Sequence, residues 1–74
     1  MISLEGRAKY IHLETGFWGI IGKNGKEYLP VNMPEQLKLN GATVKCTAEV
    51  LNDFDTIYQW GIPIRIISFH TISP

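Results

Sequence analysis

Few residues of this chain have the types and spacings that support metal binding. Cys46 is the only cysteine among 74 residues, and it lies in the apolar phase of a strand-like segment. A free cysteine in such a position acts as a small core residue. His12 and His70 have no second histidine or cysteine ligand two, three or four residues away, and one cysteine completes no zinc spacing. The sequence therefore predicts no metal site.

Residues that often act as nucleophiles or acids also lack the neighbours that these roles need. Ser3, Thr15 and Ser68 have no adjacent base in a nucleophile motif. Asp53 and Asp55 are two residues apart, but the further ligands of a calcium loop are missing. No glycine-rich phosphate loop precedes a helix-like segment. We therefore expect no catalytic residues, no cofactor and no enzymatic activity.

Aromatic side chains carry most of the remaining binding chemistry. Phe17 and Trp18 are adjacent, so in a regular strand one points inward and the other outward. The sequence does not decide between them, because Ile20 and Ile21 are both apolar. We expect the inward ring to belong to the core. The outward ring either stacks on a ligand or is covered by a loop, and the sequence leaves both possibilities open.

For the other aromatic rings and for two lysines, the sequence again leaves a choice between ligand contact and a structural or solvated role. Tyr28, Tyr58 and Trp60 carry polar groups that permit partial exposure. Trp60 precedes Gly-Ile-Pro, a context that favours holding a loop against the fold, and this makes Tyr58 the better candidate for ligand contact. Lys23 and Lys26 flank an Asn-Gly dipeptide and have the positions of solvated turn residues.

Composition bounds the class of protein. The length predicts one domain spanning residues 1–74, and 45% hydrophobic residues are typical of a globular chain. Seven basic residues balance seven acidic ones, so no net field concentrates a polyanion. No apolar run approaches the roughly 20 residues of a membrane span, and nothing at the N-terminus resembles a signal peptide. We expect a cytoplasmic monomer or small homo-oligomer without a membrane partner.

Three strands are predicted in the first half of the chain. Residues 2–13 alternate, with Ile2, Leu4, Gly6 and Ala8 on one phase, and small residues there indicate a bend that lets one long strand pair with different neighbours at its two ends. Residues 17–22 and 26–29 form the next two strands, joined at Asn24-Gly25. This dipeptide predicts a hairpin with a type I′ turn.

The second half predicts a helical plug and two more strands. Asn32 is a candidate N-cap, Pro34 suits a first turn, and residues 33–37 or 33–39 give one or two helical turns whose apolar side chains close one end of the sheet. Residues 42–51 alternate cleanly as a strand, with Cys46 on the inward phase. Residues 52–63 are expected to be a long loop, with a partial hairpin as the alternative. Residues 64–71 form the last strand, whose nearly continuous hydrophobicity indicates burial on both sides or a contact surface.

This order predicts an all-β fold, a five-stranded OB-fold-like Greek-key barrel with a short helix between strands 3 and 4. An SH3-like barrel is the alternative. The segments GFWGII at residues 16–21, YLPVNMP at 28–34 and WGIPI at 60–64 resemble small, largely uncharacterised prokaryotic OB-fold domains, and cold-shock domains are a more distant likeness.

The resemblance implies a non-enzymatic binding module. OB-folds bind single-stranded nucleic acid, oligosaccharide or protein on strands 2 and 3, between the loops that follow strands 1 and 4. We expect weak binding of single-stranded nucleic acid, with single-stranded DNA as the first choice, by aromatic stacking and by phosphate contacts from Lys or Arg. The alternative is a protein-interaction or assembly module that uses the apolar last strand. The candidate nucleic-acid-binding residues are Phe17, Trp18, Lys23, Lys26, Tyr28, Tyr58, Trp60 and Arg65.

Overall fold

A closed barrel of five strands organises the part of the chain that the computed structural model describes, residues 1–13, 15–51 and 60–70. The elements are β1 (Ile2–Ile11), β2 (Phe17–Gly22), β3 (Glu27–Pro30), a short 3-10 helix η1 (Glu35–Leu37), β4 (Thr43–Val50) and β5 (Ile62–His70). The order around the barrel is β1-β2-β3-β5-β4, and β4 pairs back to β1. Only the β3–β5 pair is parallel among these ladders. The predicted OB-fold-like barrel is confirmed.

The long first strand joins two parts of the barrel. Residues 2–7 of β1 pair with β4, and residues 6–11 pair with β2. Gly6 lies in the overlap, opposite both Gly22 and Val44. A Cβ at Gly6 would collide with the carbonyl oxygen of Ile21, so glycine is needed where the strands approach most closely. The prediction that this strand pairs with different neighbours at its two ends is confirmed, although the strand ends at Ile11 and not at residue 13.

The hairpin between β2 and β3 forms where Asn24-Gly25 predicts it, but with a different turn. The N–H of Gly25 donates to the carbonyl of Gly22 at 2.9 Å, so Lys23 and Asn24 occupy the centre of the turn. Gly25 follows with φ of +84°, and the N–H of Lys26 donates to Oδ1 of Asn24 at 3.0 Å. This is the three-residue loop with a glycine bulge, and the predicted two-residue type I′ turn is wrong.

Asn32 has a structural role that differs from the predicted N-cap. The 3-10 helix begins after Pro34, which makes no side-chain capping bond. Asn32 instead accepts a bond from the N–H of Ile66 at 2.8 Å and donates to its carbonyl at 2.9 Å. The side chain thereby continues the parallel β3–β5 pairing by one more step. The backbone of β5 is covered at this point, so a free β5 edge facing β3 is not available there for a partner strand.

The plug between β3 and β4 is a single short turn. Leu37 is 2% exposed and packs in the core, as predicted, and Met33 packs against the same cluster. Leu39 is 65% exposed, so the expectation that it joins the plug is wrong. The chain then runs along β1, where the N–H of Gly41 donates to the carbonyl of Ala8 at 2.8 Å.

The interior is filled from the inward phases of all five strands. The predicted inward phase of β4 is confirmed, with Val44 and Ala48 fully buried and Cys46 at 4% exposure. Of the two alternatives for β5, burial on both sides is wrong, because a bulge changes the phase and leaves Ile67 52% exposed. The core cluster consists of Leu4, Ala8, Ile20, Tyr28, Leu37, Val44, Cys46, Ala48, Ile64 and Ile66.

Candidate nucleic-acid interface

The structure places Trp18 inward and Phe17 outward. Ile20 is fully buried, and Trp18 shares its phase in β2 and packs against the core. The Trp18 ring also meets Tyr10 edge to face, with ring centroids 5.4 Å apart. Phe17 points outward but is only 9% exposed, because Trp60 covers it at a centroid distance of 5.5 Å. Of the two uses left open for the outward ring, the structure shows cover by Trp60.

Trp60 lies on the outer face of the barrel, over β2. A Cβ built on Gly19 would lie 2.5 Å from Cη2 and Cζ3 of the Trp60 indole and 3.3 Å from Cγ1 of Ile11. The ring therefore occupies the space that any larger residue at position 19 would fill. Trp60 itself stays half-buried, with part of its surface in contact with solvent. We call Trp60 together with Phe17 and Gly19 the aromatic patch.

Two cations lie beside the aromatic patch on the neighbouring strand. Lys9 is directly opposite Gly19 in the β1–β2 register, and Arg7 is opposite Ile21. Both side chains are exposed on the outward phase of β1, and Nη1 of Arg7 donates to the carbonyl of Gly41 at 3.2 Å. The list of residues predicted from the sequence omits Lys9 and Arg7. The alternating sequence of β1 predicts that both side chains point outward. It does not predict that Trp60 lies on the same face of the neighbouring strand.

A second set of predicted residues meets at the other end of β2. Lys23, Lys26 and Tyr28 line a groove of about 420 Å³ beside the hairpin, together with Asn24 and the start of β1. We call this the hairpin-tip groove. Nζ of Lys23 is 3.1 Å from Oε2 of Glu5, and Nδ2 of Asn24 is 3.4 Å from the hydroxyl of Tyr28.

Tyr28 does not have the exposure that a stacking platform requires. The side chain is 5% exposed and belongs to the core cluster. Only its edge reaches the hairpin-tip groove, near the amide of Asn24. The expected partial exposure of Tyr28 is therefore wrong, because β3 turns this residue toward the interior.

A third surface lies between β3 and the plug. It is a groove of about 420 Å³ to which Trp18, Leu29 and Met33 contribute apolar surface and Lys38 a cation. The Lys38 ammonium is 2.8 Å from a carboxylate oxygen of Glu35, so its charge is already paired. We call this the β3 groove.

The remaining predicted residues are separate from these surfaces or outside the described residues. Arg65 is exposed on β5 and lies opposite Glu49 of β4. Tyr58 lies outside the residues that the structure describes. The predicted set is thus divided among the aromatic patch, the hairpin-tip groove, the β3 groove and the outer face of β5.

Among the residues that the structure describes, two titratable groups have pKa values shifted by their surroundings. The hydrogen bond and charge of Lys23, with a smaller contribution from Lys45, hold the pKa of Glu5 below its ordinary value. Burial raises the pKa of the Cys46 thiol. Within residues 1–13, 15–51 and 60–70, no three His, Cys, Asp or Glu side chains come together in a way that could hold a metal ion.

Comparison with known proteins gives no match to a family model, a curated protein or a solved structure. In the described part of the chain, no helix is long and apolar enough to cross a membrane.

Proposed function

We propose that this protein is a non-enzymatic module that binds single-stranded nucleic acid weakly on the outer face of β1 and β2. The observation that carries the proposal is the position of Trp60 over Gly19, the residue that pairs with the exposed Lys9 across the β1–β2 ladder. An aromatic ring next to cations is the combination that single-stranded nucleic-acid sites use.

The contact with Gly19 holds the Trp60 indole in a fixed position before a base stacks on it. A ring already held against β2 loses little further freedom when a base packs on its exposed surface, so less of the stacking energy is spent on ordering. Base stacking on an aromatic side chain contributes about 1 to 3 kcal/mol per base and tolerates any base, since every base has a π-face. The site therefore supports binding with little sequence preference.

Charge limits the affinity. The chain has equal numbers of basic and acidic residues, and only Lys9 and Arg7 flank the aromatic patch on β1. Each phosphate neutralised on a single strand contributes about 0.7 to the slope of log affinity against log salt. Two contacts predict a shallow slope of about 1.4.

The test is a titration with oligo-dT at low and at moderate salt, followed by tryptophan fluorescence and backbone amide shifts. A Trp18→Phe background leaves Trp60 as the only indole, so that quenching reports on the aromatic patch. Lys9→Gln is the informative variant, and Arg65→Gln on the outer face of β5 is its control, because each removes one exposed strand cation.

We expect quenching of Trp60, amide shifts in β1 and β2, and a salt slope that falls by about 0.7 in Lys9→Gln. Arg65→Gln keeps the affinity and the slope close to those of the parent protein. Equal effects of the two variants, or no shift at millimolar oligo-dT, would overturn the proposal.

A protein partner is the second candidate function, and the β3 groove is the observation that favours it. Its lining is mostly apolar, and Val31 at its rim is 37% exposed. If the groove joins two copies of this chain, sedimentation will show a mass that rises with concentration, and Val31→Lys will abolish the increase. A constant monomer mass would remove this form of the candidate.

A further inference from the structure

The outer surface of β2 connects the aromatic patch with the hairpin-tip groove. A smaller cavity of about 230 Å³ lies between them, lined by Arg7, Ile21, Lys23 and their neighbours. Lys23 and Glu5 line both this cavity and the hairpin-tip groove. Cations are therefore distributed along one side of the barrel, from Lys9 beside Trp60 through Arg7 to the hairpin.

We infer that the hairpin-tip groove is a phosphate-binding site in which the carboxylate of Glu5 competes with the bound phosphate for Lys23. The assignment of that phosphate to a nucleic-acid strand stacked on Trp60 rests on the proposed function. Free polyphosphate has the same anionic chemistry, and the experiments below separate the two sources.

The ion pair in the groove has the properties of an exchangeable contact. Nζ of Lys23 and Oε2 of Glu5 are 3.1 Å apart, and their side chains are 74% and 43% exposed. Exposed pairs of this kind contribute little net stability. Phosphate oxygens accept the same charge-assisted hydrogen bond from an ammonium as a carboxylate does. A phosphate can therefore replace Glu5 at Lys23 at small cost.

Backbone contacts keep the lysines in place when the carboxylate is displaced. The N–H of Lys23 donates to the carbonyl of Glu5 at 2.8 Å, and this bond does not involve the Glu5 side chain. The N–H of Lys26 is held by Oδ1 of Asn24 at 3.0 Å. Glu5→Gln thus removes the competing charge while the backbone that positions both lysines remains.

The groove also contains groups suited to the rest of a nucleotide. Ile2 and Leu4 give it an apolar side, and the amide of Asn24 and the edge of Tyr28 give it a polar side. Lys23 is four residues beyond Gly19, a distance of about 13 Å at about 3.3 Å per strand residue. At the stacked spacing of about 3.4 Å, this span corresponds to about four nucleotides.

The first experiment measures the affinity of dT6 for Glu5→Gln and for Glu49→Gln. Both substitutions remove one negative charge from the outer face of the barrel, but only Glu5 contacts Lys23. We expect Glu5→Gln to bind dT6 about twofold to fivefold more tightly, the size expected for one exposed charge contact. Lys23→Gln weakens binding, and it does so more strongly in the Glu5→Gln background. Equal changes in the Glu5 and Glu49 variants would show an effect of net charge alone and overturn the inference.

The second experiment separates this inference from the proposed function. Inorganic tripolyphosphate is titrated into the parent protein, Glu5→Gln and Lys23→Gln, and the amide shifts of residues 22–26 are followed. Amide shifts that grow in Glu5→Gln and vanish in Lys23→Gln support the anion site. If these shifts occur but oligo-dT does not bind, the site binds polyphosphate, and only its assignment to nucleic acid is overturned. Unmoved hairpin amides, together with quenching of Trp60 by oligo-dT, overturn the inference and leave the proposed function standing.

Discussion

The indole of Trp60 lies over Gly19, and the missing side chain of Gly19 provides the space that the ring fills. The contact attaches Trp60, which lies two residues before the start of β5, to the outer face of β2. It also covers Phe17, which points outward yet is 9% exposed. One glycine therefore accounts for both the burial of Phe17 and the position of the candidate stacking ring.

Gly19→Ala tests this contact. The new Cβ would lie 2.5 Å from two carbons of the indole, whereas carbon atoms in contact prefer about 3.5 to 4.0 Å. The ring must move, and we expect the free energy of unfolding to fall by about 1 to 3 kcal/mol, the usual cost of overpacking. Urea denaturation gives the free energy, and a change in tryptophan emission reports the displaced ring.

A double-mutant cycle supplies the control. In the strand interior alanine is normally more stable than glycine by about 0.5 to 1 kcal/mol. When Trp60→Ala has removed the obstacle, Gly19→Ala is therefore expected to be neutral or stabilising. A coupling energy near zero would contradict the contact between Trp60 and Gly19.

Asn32 provides a second test, on the closure of the barrel. Asn32→Ala removes both bonds to the backbone of Ile66, and we expect a loss of about 1 to 3 kcal/mol, because two backbone groups lose their partner. Hydrogen exchange of the Ile66 amide accelerates. Gln36→Ala, on the exposed side of η1, is expected to change stability by less than about 0.5 kcal/mol.

Asn32→Asp separates the contribution of the hydrogen bond that Asn32 donates to Ile66 from that of the bond it accepts. The carboxylate still accepts from the N–H of Ile66, but it repels the carbonyl that Asn32 Nδ2 contacts at 2.9 Å. We expect a stability at or below that of the alanine variant at neutral pH, with partial recovery once the carboxyl is protonated. Full stability of Asn32→Asp at neutral pH would show that the donor bond is unimportant.

Much of the barrel could be predicted because its strands alternate. The inward residues of β1 and β4 follow a period of two, and the small residues Gly6 and Ala8 indicate where β1 changes partner. The alternation of apolar residues does not predict the bulge in β5. Ile66 and Ile67 are identical residues, one buried and one exposed, and the register against β4 decides which is which.

The candidate site was less predictable because it depends on contacts that are distant in sequence. The outward phase of Lys9 was visible, but its proximity to Trp60 requires the β1–β2 register and the placement of Trp60 over β2. Tyr28 illustrates the opposite error. Its hydroxyl suggested exposure, whereas the pairing of Ile20 with Tyr28 places both on the inward phase of the barrel.

Cys46 allows a prediction about reactivity. The thiol is 4% exposed, and burial raises its pKa, so little thiolate forms at neutral pH and reagents cannot reach it. We expect labelling by a thiol reagent at pH 8 to be slow and to accelerate with urea in step with unfolding. Ser68→Cys in a Cys46→Ala background is the control, since Ser68 is exposed on the adjacent strand and should be labelled rapidly without urea. Rapid labelling of Cys46 in the folded protein would contradict its burial.

The Glu5–Lys23 pair predicts a dependence of stability on pH. Because Lys23 lowers the pKa of Glu5 in the folded state, the unfolded chain binds a proton at Glu5 more readily than the folded chain does. The stabilisation is complete above the ordinary glutamate pKa of about 4.3 and is lost as the pH falls through the lower folded-state pKa. We therefore expect Glu5→Gln to be less stable than the parent protein at pH 7 and equally stable in strong acid.

Urea denaturation from pH 7 to pH 2 measures this difference, and salt provides the control. The pair is exposed, so about 1 M NaCl, with a screening length of about 3 Å, should remove most of the difference at pH 7. In a Lys23→Gln background, the pH-dependent effect of Glu5→Gln should shrink to the smaller contribution of Lys45, which lies opposite Glu5 on β4. A Glu5→Gln variant that is more stable than the parent protein at pH 7, with the difference vanishing in acid, would mean that the Glu5 carboxylate destabilises the folded barrel.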